Sequence, residues 1–258
     1  MRLACSPFRL PRRYPASTLP RSVNADPDAV AGRLHEIRGR IATAAARSGR
    51  MSNAVTLIGV AKTVGLERIR EAIAAGLADV GENRVQEAEA AVAALGHAGL
   101  RWHMIGHLQR NKGSRALELF DRIHTLDSFE LAESLSRKAA GRDQATPALI
   151  QINVSGEASK SGIAPAALVP LLERLGALPG IAVDGLMMIG TAVDRPEQAR
   201  GEFARLRELR DTAERALSVR LPQLSMGMSD DFEIAVEEGS TLVRVGRALF
   251  GARSTAGG

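Results

Sequence analysis

The chain switches its hydrophobic period repeatedly, and this alternation constrains the fold more than any other feature. Strand-like apolar runs, "VTLIGVA", "ADVGEN", "RWHMIG", "RIHTLD", "PALIQINV", "VDGLMMIG", "QLSMGM" and "TLVRVG", alternate with stretches of helical spacing such as "ERIREAIAAG", "VQEAEAAVAAL" and "FELAESLSRKAA". A period of two suits a pleated strand, and a period near 3.6 suits an amphipathic helix laid over it. Eight such repeats predict an α/β fold, a closed (β/α)8 TIM barrel rather than an open doubly wound sheet. A further helical pattern, with Val30, Leu34, Ile37 and Ile41 on one face behind an Asp and Pro start signal, precedes the first strand. The eighth strand is followed by "RALFGARSTAGG", too short for a full covering helix, so the extra N-terminal helix is expected to close the outer ring there.

A length of 258 residues fits one such barrel, and no internal repeat or Pro/Gly-rich linker marks a second domain, so residues 26–258 are read as a single domain. The formal charge of +5 is unevenly placed: Arg2, Arg9, Arg12, Arg13 and Arg21 precede the first acid, Asp26. Removing those five from 34 basic residues leaves 29, which matches the 29 acidic ones. The barrel region is therefore formally neutral, which argues against a nucleic-acid partner. Pro7, Pro11, Pro15 and Pro20 oppose the amphipathic helix of a transit peptide, so residues 1–25 are read as a disordered basic extension. The one cysteine, Cys5, permits no intramolecular disulfide. No apolar run approaches the roughly 18 residues of a membrane span, and the expected location is the cytoplasm.

In a barrel of this kind, chemistry sits at the C-terminal ends of the strands and in the loops that follow. Lys62 ends the run "VTLIGVAK", and alternation puts it on one face with Thr56, Ile58 and Val60. Two readings are open for it: a strand-end lysine reaching water, or a desolvated amine of lowered pKa able to form a Schiff base. Asn83, in "GENRVQE", either presents an amide at the barrel mouth or starts a helix. His103 and His107 are four apart, but Gly106 and the strand-like context deny them the shared helical face of a zinc pair. The Ser/Gly-rich loop holding Lys160 reads as solvated.

The last two βα turns say more. "SMGMSDDFE" places Ser229 at a helix start, where Asp230 and Glu233 also suggest a capping box, and "VRVGRALFG" places Gly246 in the turn after Arg244. Small, donor-rich turns after strands seven and eight are where such barrels often hold a phosphate. Alternation turns Leu242, Arg244 and Gly246 inward, and a guanidinium in that position must find a partner because it cannot shed its proton. A strand-one lysine, a strand-eight arginine and a phosphate cradle together describe a site for a phosphorylated aldehyde, and pyridoxal 5′-phosphate (PLP) satisfies all three.

The motifs "GVAKT", "GENRVQE", "WHMIGHLQRNK", "INVSGEASKSGI", "GLMMIG", "SMGMSDDFEIAVEEGSTLVRVG" and "ALFGAR" run in order from about residue 28 to 253. In them the chain resembles the pyridoxal phosphate homeostasis protein family, whose barrel is similar to the N-terminal domain of alanine racemase. The resemblance implies that Lys62 holds PLP as a Schiff base, that Arg244 faces the pyridine nitrogen, and that Ser229 and Gly246 bind phosphate, with Asn83 at the mouth. It also implies a monomer serving intracellular vitamin B6 balance without established catalysis, with PLP-dependent apoenzymes as recipients. The alternative is a PLP-dependent amino-acid racemase. Against it, the sole tyrosine is Tyr14, in the proline-rich extension, and no second domain follows to bring the opposing base that alanine racemase uses.

Overall fold

The computed structural model describes residues 29–157 and 159–251. The basic extension, with Cys5, Tyr14 and the Asp and Pro start signal, lies outside the described residues. Eight parallel strands close in sequence order: β1 (Thr56–Val60), β2 (Asp79–Glu82), β3 (Arg101–Met104), β4 (Arg122–Leu126), β5 (Thr146–Gln151), β6 (Ile181–Met187), β7 (Gln223–Ser225) and β8 (Leu242–Val245). Closure is made between β1 and β8, where Thr56 lies beside Leu242 and Ile58 beside Arg244. The covering helices are α1 (Val30–Arg47), α2 (Leu66–Ala74), α3 (Val85–Leu95), α4 (Gly113–Leu119), α5 (Phe129–Lys138), α6 (Leu168–Leu175), α7 (Arg200–Leu217), α8 (Phe232–Glu237) and the single turn α9 (Arg247–Phe250).

The helix before the first strand takes the place that α9 is too short to fill. It packs against α8, α9 and α2, burying Val30, Leu34, Ile37 and Ile41. Its polar face also reaches the barrel helices: Arg33 Nε donates to the Leu249 carbonyl at 2.8 Å, and the Arg40 guanidinium stacks 4.7 Å from the Phe232 ring centroid while bonding Glu233. Among the described residues, no helix is long and apolar enough to cross a membrane.

Two apolar cores result. The larger fills the layer between sheet and helices, around Trp102, Phe203 and Phe232. The smaller lies within the barrel and comprises Ile58, Leu149, Met187 and Leu242. Branched apolar side chains usually fill the inside of such a barrel. Here the rest of the interior is polar: Asp79, His103, His124, Ser225 and Arg244 are all buried.

If α1 is part of the barrel, Ile37→Ala should cost about 2–5 kcal/mol of unfolding free energy, the range for truncating a buried isoleucine to alanine. Urea denaturation followed by circular dichroism measures this; a loss below about 0.5 kcal/mol would mean that the helix merely rests on the surface.

Candidate functional site

Lys62 stands two residues beyond the end of β1, in a turn closed by the Val64 N–H donating to the Ala61 carbonyl at 2.8 Å. Thr63 adopts φ 60, a left-handed conformation that is strained for a β-branched residue, and its hydroxyl donates to the Lys62 carbonyl at 2.6 Å. Lys62 is exposed. Of the two readings open for it, this exposure matches a strand-end lysine that reaches water, two residues past the end of β1 at Val60. Among the described residues, no hydrogen bond or ion pair holds its Nζ. Lys160 differs sharply, with its amine bonded to Glu157 at 2.6 Å, Thr191 at 2.7 Å and Ser155 at 3.1 Å. Its loop, expected to be solvated, is pinned to the turn after β6 through Thr191.

Lys62 borders two cavities at the C-terminal mouth. One, of about 650 Å³, also meets Asn83, Met104, Gly106, His107 and Lys112. The other, of about 490 Å³, meets Val64, Arg68, Gly246 and Arg247. Gly246 lies beside β1, where a Cβ would meet Val60 at an ordinary contact distance of 3.4 Å. Ser229 reaches the same turn from β7: its Oγ accepts the Ala248 N–H at 3.2 Å. It thus ties the two turns together rather than capping α8, whose N-cap is Asp231. The capping box expected of Asp230 and Glu233 is not formed, because Glu233 turns to Arg40 and Asp230 to Arg247. That ion pair faces solvent and neutralises Asp230 beside the cradle, while Asp231 is buried and accepts the Met228 N–H at 2.6 Å.

Asn83 follows β2 directly and is half-buried at the larger cavity. It is not a helix cap, since α3 has Arg84 as N-cap and no side-chain capping bond. Its backbone is held by close approach to the next strand: a Cβ on Gly106 would stand 2.2 Å from the Asn83 carbonyl oxygen. His103 and His107 do not converge. His103 points into the barrel, and exposed His107 pairs with Asp127 at 3.2 Å.

Arg244 is 4% exposed and finds the partner its charge requires. Its Nη1 donates to Ser225 Oγ at 2.5 Å and its Nη2 to the Met188 carbonyl at 2.8 Å. Burial pulls its pKa down to about 10, against the opposing pull of Asp231, so it remains a cation at neutral pH. The bonds continue across the barrel. Ser225 Oγ lies 2.9 Å from His124 Nδ1, His124 Nε2 lies 3.0 Å from His103 Nδ1, and His103 Nε2 lies 2.9 Å from Asp79 Oδ1. Arg101, at the opposite mouth, grips Asp79 with two bonds of 2.6 and 2.7 Å. Burial holds both imidazoles below their ordinary pKa. Sequence reading passed over Ser225 and His124, although alternation along "RIHTLD" and "QLSMGM" turns each of them inward.

The residues present suit a phosphorylated pyridine aldehyde. An accessible amine, the small turn at Gly246 tied to Ser229, and a buried guanidinium on the neighbouring strand supply the complementary groups. A closed barrel with such a site defines a class, the alanine racemase N-terminal domain family, which the sequence matches over residues 33–254. Within it, the chain belongs to the pyridoxal phosphate homeostasis protein family: it is 45% identical to the Aquifex aeolicus pyridoxal phosphate homeostasis protein, over 86% of this chain and 97% of that one. Its Escherichia coli relative of the same name is 41% identical, over 87% of this chain and 97% of that one. Among solved structures, PipY of Synechococcus elongatus with PLP bound superposes with a TM-score of 0.76 at 37% identity, covering 86% of this chain and 100% of PipY. Alanine racemase from Corynebacterium glutamicum shares the fold, with a TM-score of 0.66 at 16% identity, over 89% of this chain and 62% of the racemase.

One group near the mouth titrates unusually. Glu82, at the end of β2, is pushed up to about 7 by burial and by Glu87, against an opposing backbone N–H from Asn83. A carboxyl whose folded pKa lies above its unfolded value binds more protons when folded, so stability falls as pH rises from the unfolded value of 4.5 to about 7. A shift of that size corresponds to about 3 kcal/mol. Glu82→Gln should flatten this slope and make the variant more stable than the parent at pH 8, relative to pH 4.5. Parallel urea titrations at the two pH values check it, and an unchanged difference would mean that Glu82 ionises freely in the fold.

Proposed function

We propose that this protein binds pyridoxal 5′-phosphate through Lys62 and serves intracellular PLP homeostasis, holding and passing on the cofactor rather than turning over amino acids. The observation that carries this reading is the unpaired, accessible Lys62 amine at the junction of two cavities, one strand from a buried arginine. The names of the relatives and the PLP held by PipY support it. PLP brings an aldehyde that condenses with an amine and a pyridine ring that withdraws electrons. The chain supplies the rest. Lys62 provides the amine. Ser229 and the backbone around Gly246 receive the phosphate, Arg244 donates to the pyridine nitrogen, and Asn83 lines the mouth beside the ring. The protein acts as a monomer in the cytoplasm, with PLP-dependent apoenzymes as recipients.

Purified protein loaded with PLP should show a visible absorption band that Lys62→Ala abolishes. Borohydride reduction followed by peptide mass mapping should place the label on Lys62; a label mainly on Lys112 or Lys160 would refute the assignment.

Catalysis needs a base on each face of the cofactor for racemisation, and the sole tyrosine of the chain, Tyr14, lies in the N-terminal extension. Among the candidates to replace it, His103 is committed to the barrel interior and Lys160 to Glu157. Loaded protein incubated with L-alanine in deuterium oxide should therefore yield no multiple-turnover D-alanine by chiral chromatography. Turnover that Lys62→Ala removes would make the protein an enzyme instead.

A further inference from the structure

The interior hydrogen bonds form one unbroken chain from Asp79 to Arg244, and its proton positions can be worked out from the two ends. An ionised carboxylate only accepts and a guanidinium only donates. Burial pushes the Asp79 pKa up, but the bonds from His103 and Arg101 outweigh it and hold the group below its usual value, so it is ionised. His103 Nε2 must then carry the hydrogen shared with Asp79. A neutral imidazole has one N–H, so His103 Nδ1 is an acceptor, and the group facing it at 3.0 Å, His124 Nε2, must donate. His124 Nδ1 accepts in turn, and the hydrogen at 2.9 Å can come only from the Ser225 hydroxyl. That leaves the Ser225 oxygen with its lone pairs toward Arg244 Nη1, where a donor stands at 2.5 Å. Each bond has one donor and one acceptor, and the opposite direction would set a lone pair against the Asp79 carboxylate.

We propose that Asp79, His103, His124 and Ser225 form a polarised relay that positions Arg244 as the donor to the pyridine nitrogen of the bound cofactor. The proposal rests on the reading of Lys62 and Arg244 given above. The relay commits the serine oxygen to accepting, and together with the Met188 carbonyl it fixes the plane of the guanidinium through two of its five N–H groups. Arg122, paired with Asp184, and Arg101 lie close enough to His103 to oppose its protonation, and Arg122 and Arg244 do the same for His124. The relay therefore carries no spare proton to the pyridine nitrogen. Its far end is an ion pair at the N-terminal mouth, so a change at Asp79 is felt at the cofactor across the full barrel interior. These four are positioning residues; none touches the cofactor.

The test begins with histidine-labelled protein free of cofactor, using long-range 1H–15N correlation at pH 7. Both His103 and His124 should be neutral with the proton on Nε2, and Asp79→Asn should convert this single state into a mixture. An Nδ1–H tautomer or an imidazolium at either position in the parent protein overturns the relay, and this measurement needs no variant to fold. With PLP added, Ser225→Ala should keep the His103 tautomer but weaken PLP binding about 10-fold, the scale of a hydrogen bond to a charged group. Asp79→Asn should shift the pH midpoint of the visible band, a signature that loss of packing alone does not move. Unchanged affinity and an unchanged band in Ser225→Ala, with the parent protein binding PLP, sink the proposal while leaving the cofactor reading intact. A parent protein without any visible band sinks both, whatever the tautomers show.

Discussion

The pairing of β1 with β8 is the contact on which the site depends. It closes the barrel through four consecutive registered positions, from Thr56 beside Leu242 to Gly59 beside Val245. Lys62 and Gly246 are far apart in sequence and belong to the first and last strands, and closure makes them neighbours across one cavity. The same register lays Ile58 beside Arg244, so the small apolar cluster of the interior abuts the cation. An open sheet with the same strands would leave both residues on exposed edges. The helix α1 secures this closure from outside, since α9 is one turn long and leaves the seam between α8 and α2 otherwise uncovered.

A barrel interior that buries polar groups is less stable than one filled with leucine and valine, unless every group is satisfied. Removing one partner from a buried pair costs about 3–5 kcal/mol, because the charge left behind has no water. Here the chain of bonds from Arg101 to Met188 satisfies both ends. The arrangement thus converts a liability into rigidity: a fully paired network admits one geometry, and Arg244 sits at its end. Among the described residues the buried side-chain atoms without a partner lie elsewhere, on Arg33, Glu82 and Glu87, and for Glu82 burial is offset by a pKa pushed up to about 7.

Much of this was legible in the sequence, for a definite reason. Period switching depends on local residue order, so the eight repeats and the inward turn of Arg244 could be read directly. The position of Ser229 and Gly246 in the last two turns likewise followed from residue order, and the structure joins those turns through the bond from the Ala248 N–H to Ser229. What stayed out of reach were the surroundings. For Lys62 two readings stayed open, a strand-end lysine reaching water or a desolvated amine, and the structure leaves the residue exposed in the turn after β1. Asp230 and Glu233 were expected to cap a helix, but each found an arginine from another element, which no local pattern announces. The pairing of His103 with His124 was invisible because it needs the register between β3 and β4, and the two histidines are 21 positions apart.

The exposure of Lys62 bears on what the site is built to do. An enzyme gains by closing its cofactor away from water, since exclusion strengthens every electrostatic contact and protects reactive states. A protein that passes its cofactor on needs the opposite, because release requires water or a recipient amine to reach the bond at the lysine. Here Lys62 faces cavities open to solvent, while Arg244, proposed to meet the pyridine end, is buried and held by Ser225 and the Met188 carbonyl. One end of the site is rigid and the other accessible. That division favours firm, oriented holding combined with exchange at the aldehyde end, and it gives the carrier reading a physical basis in the fold itself.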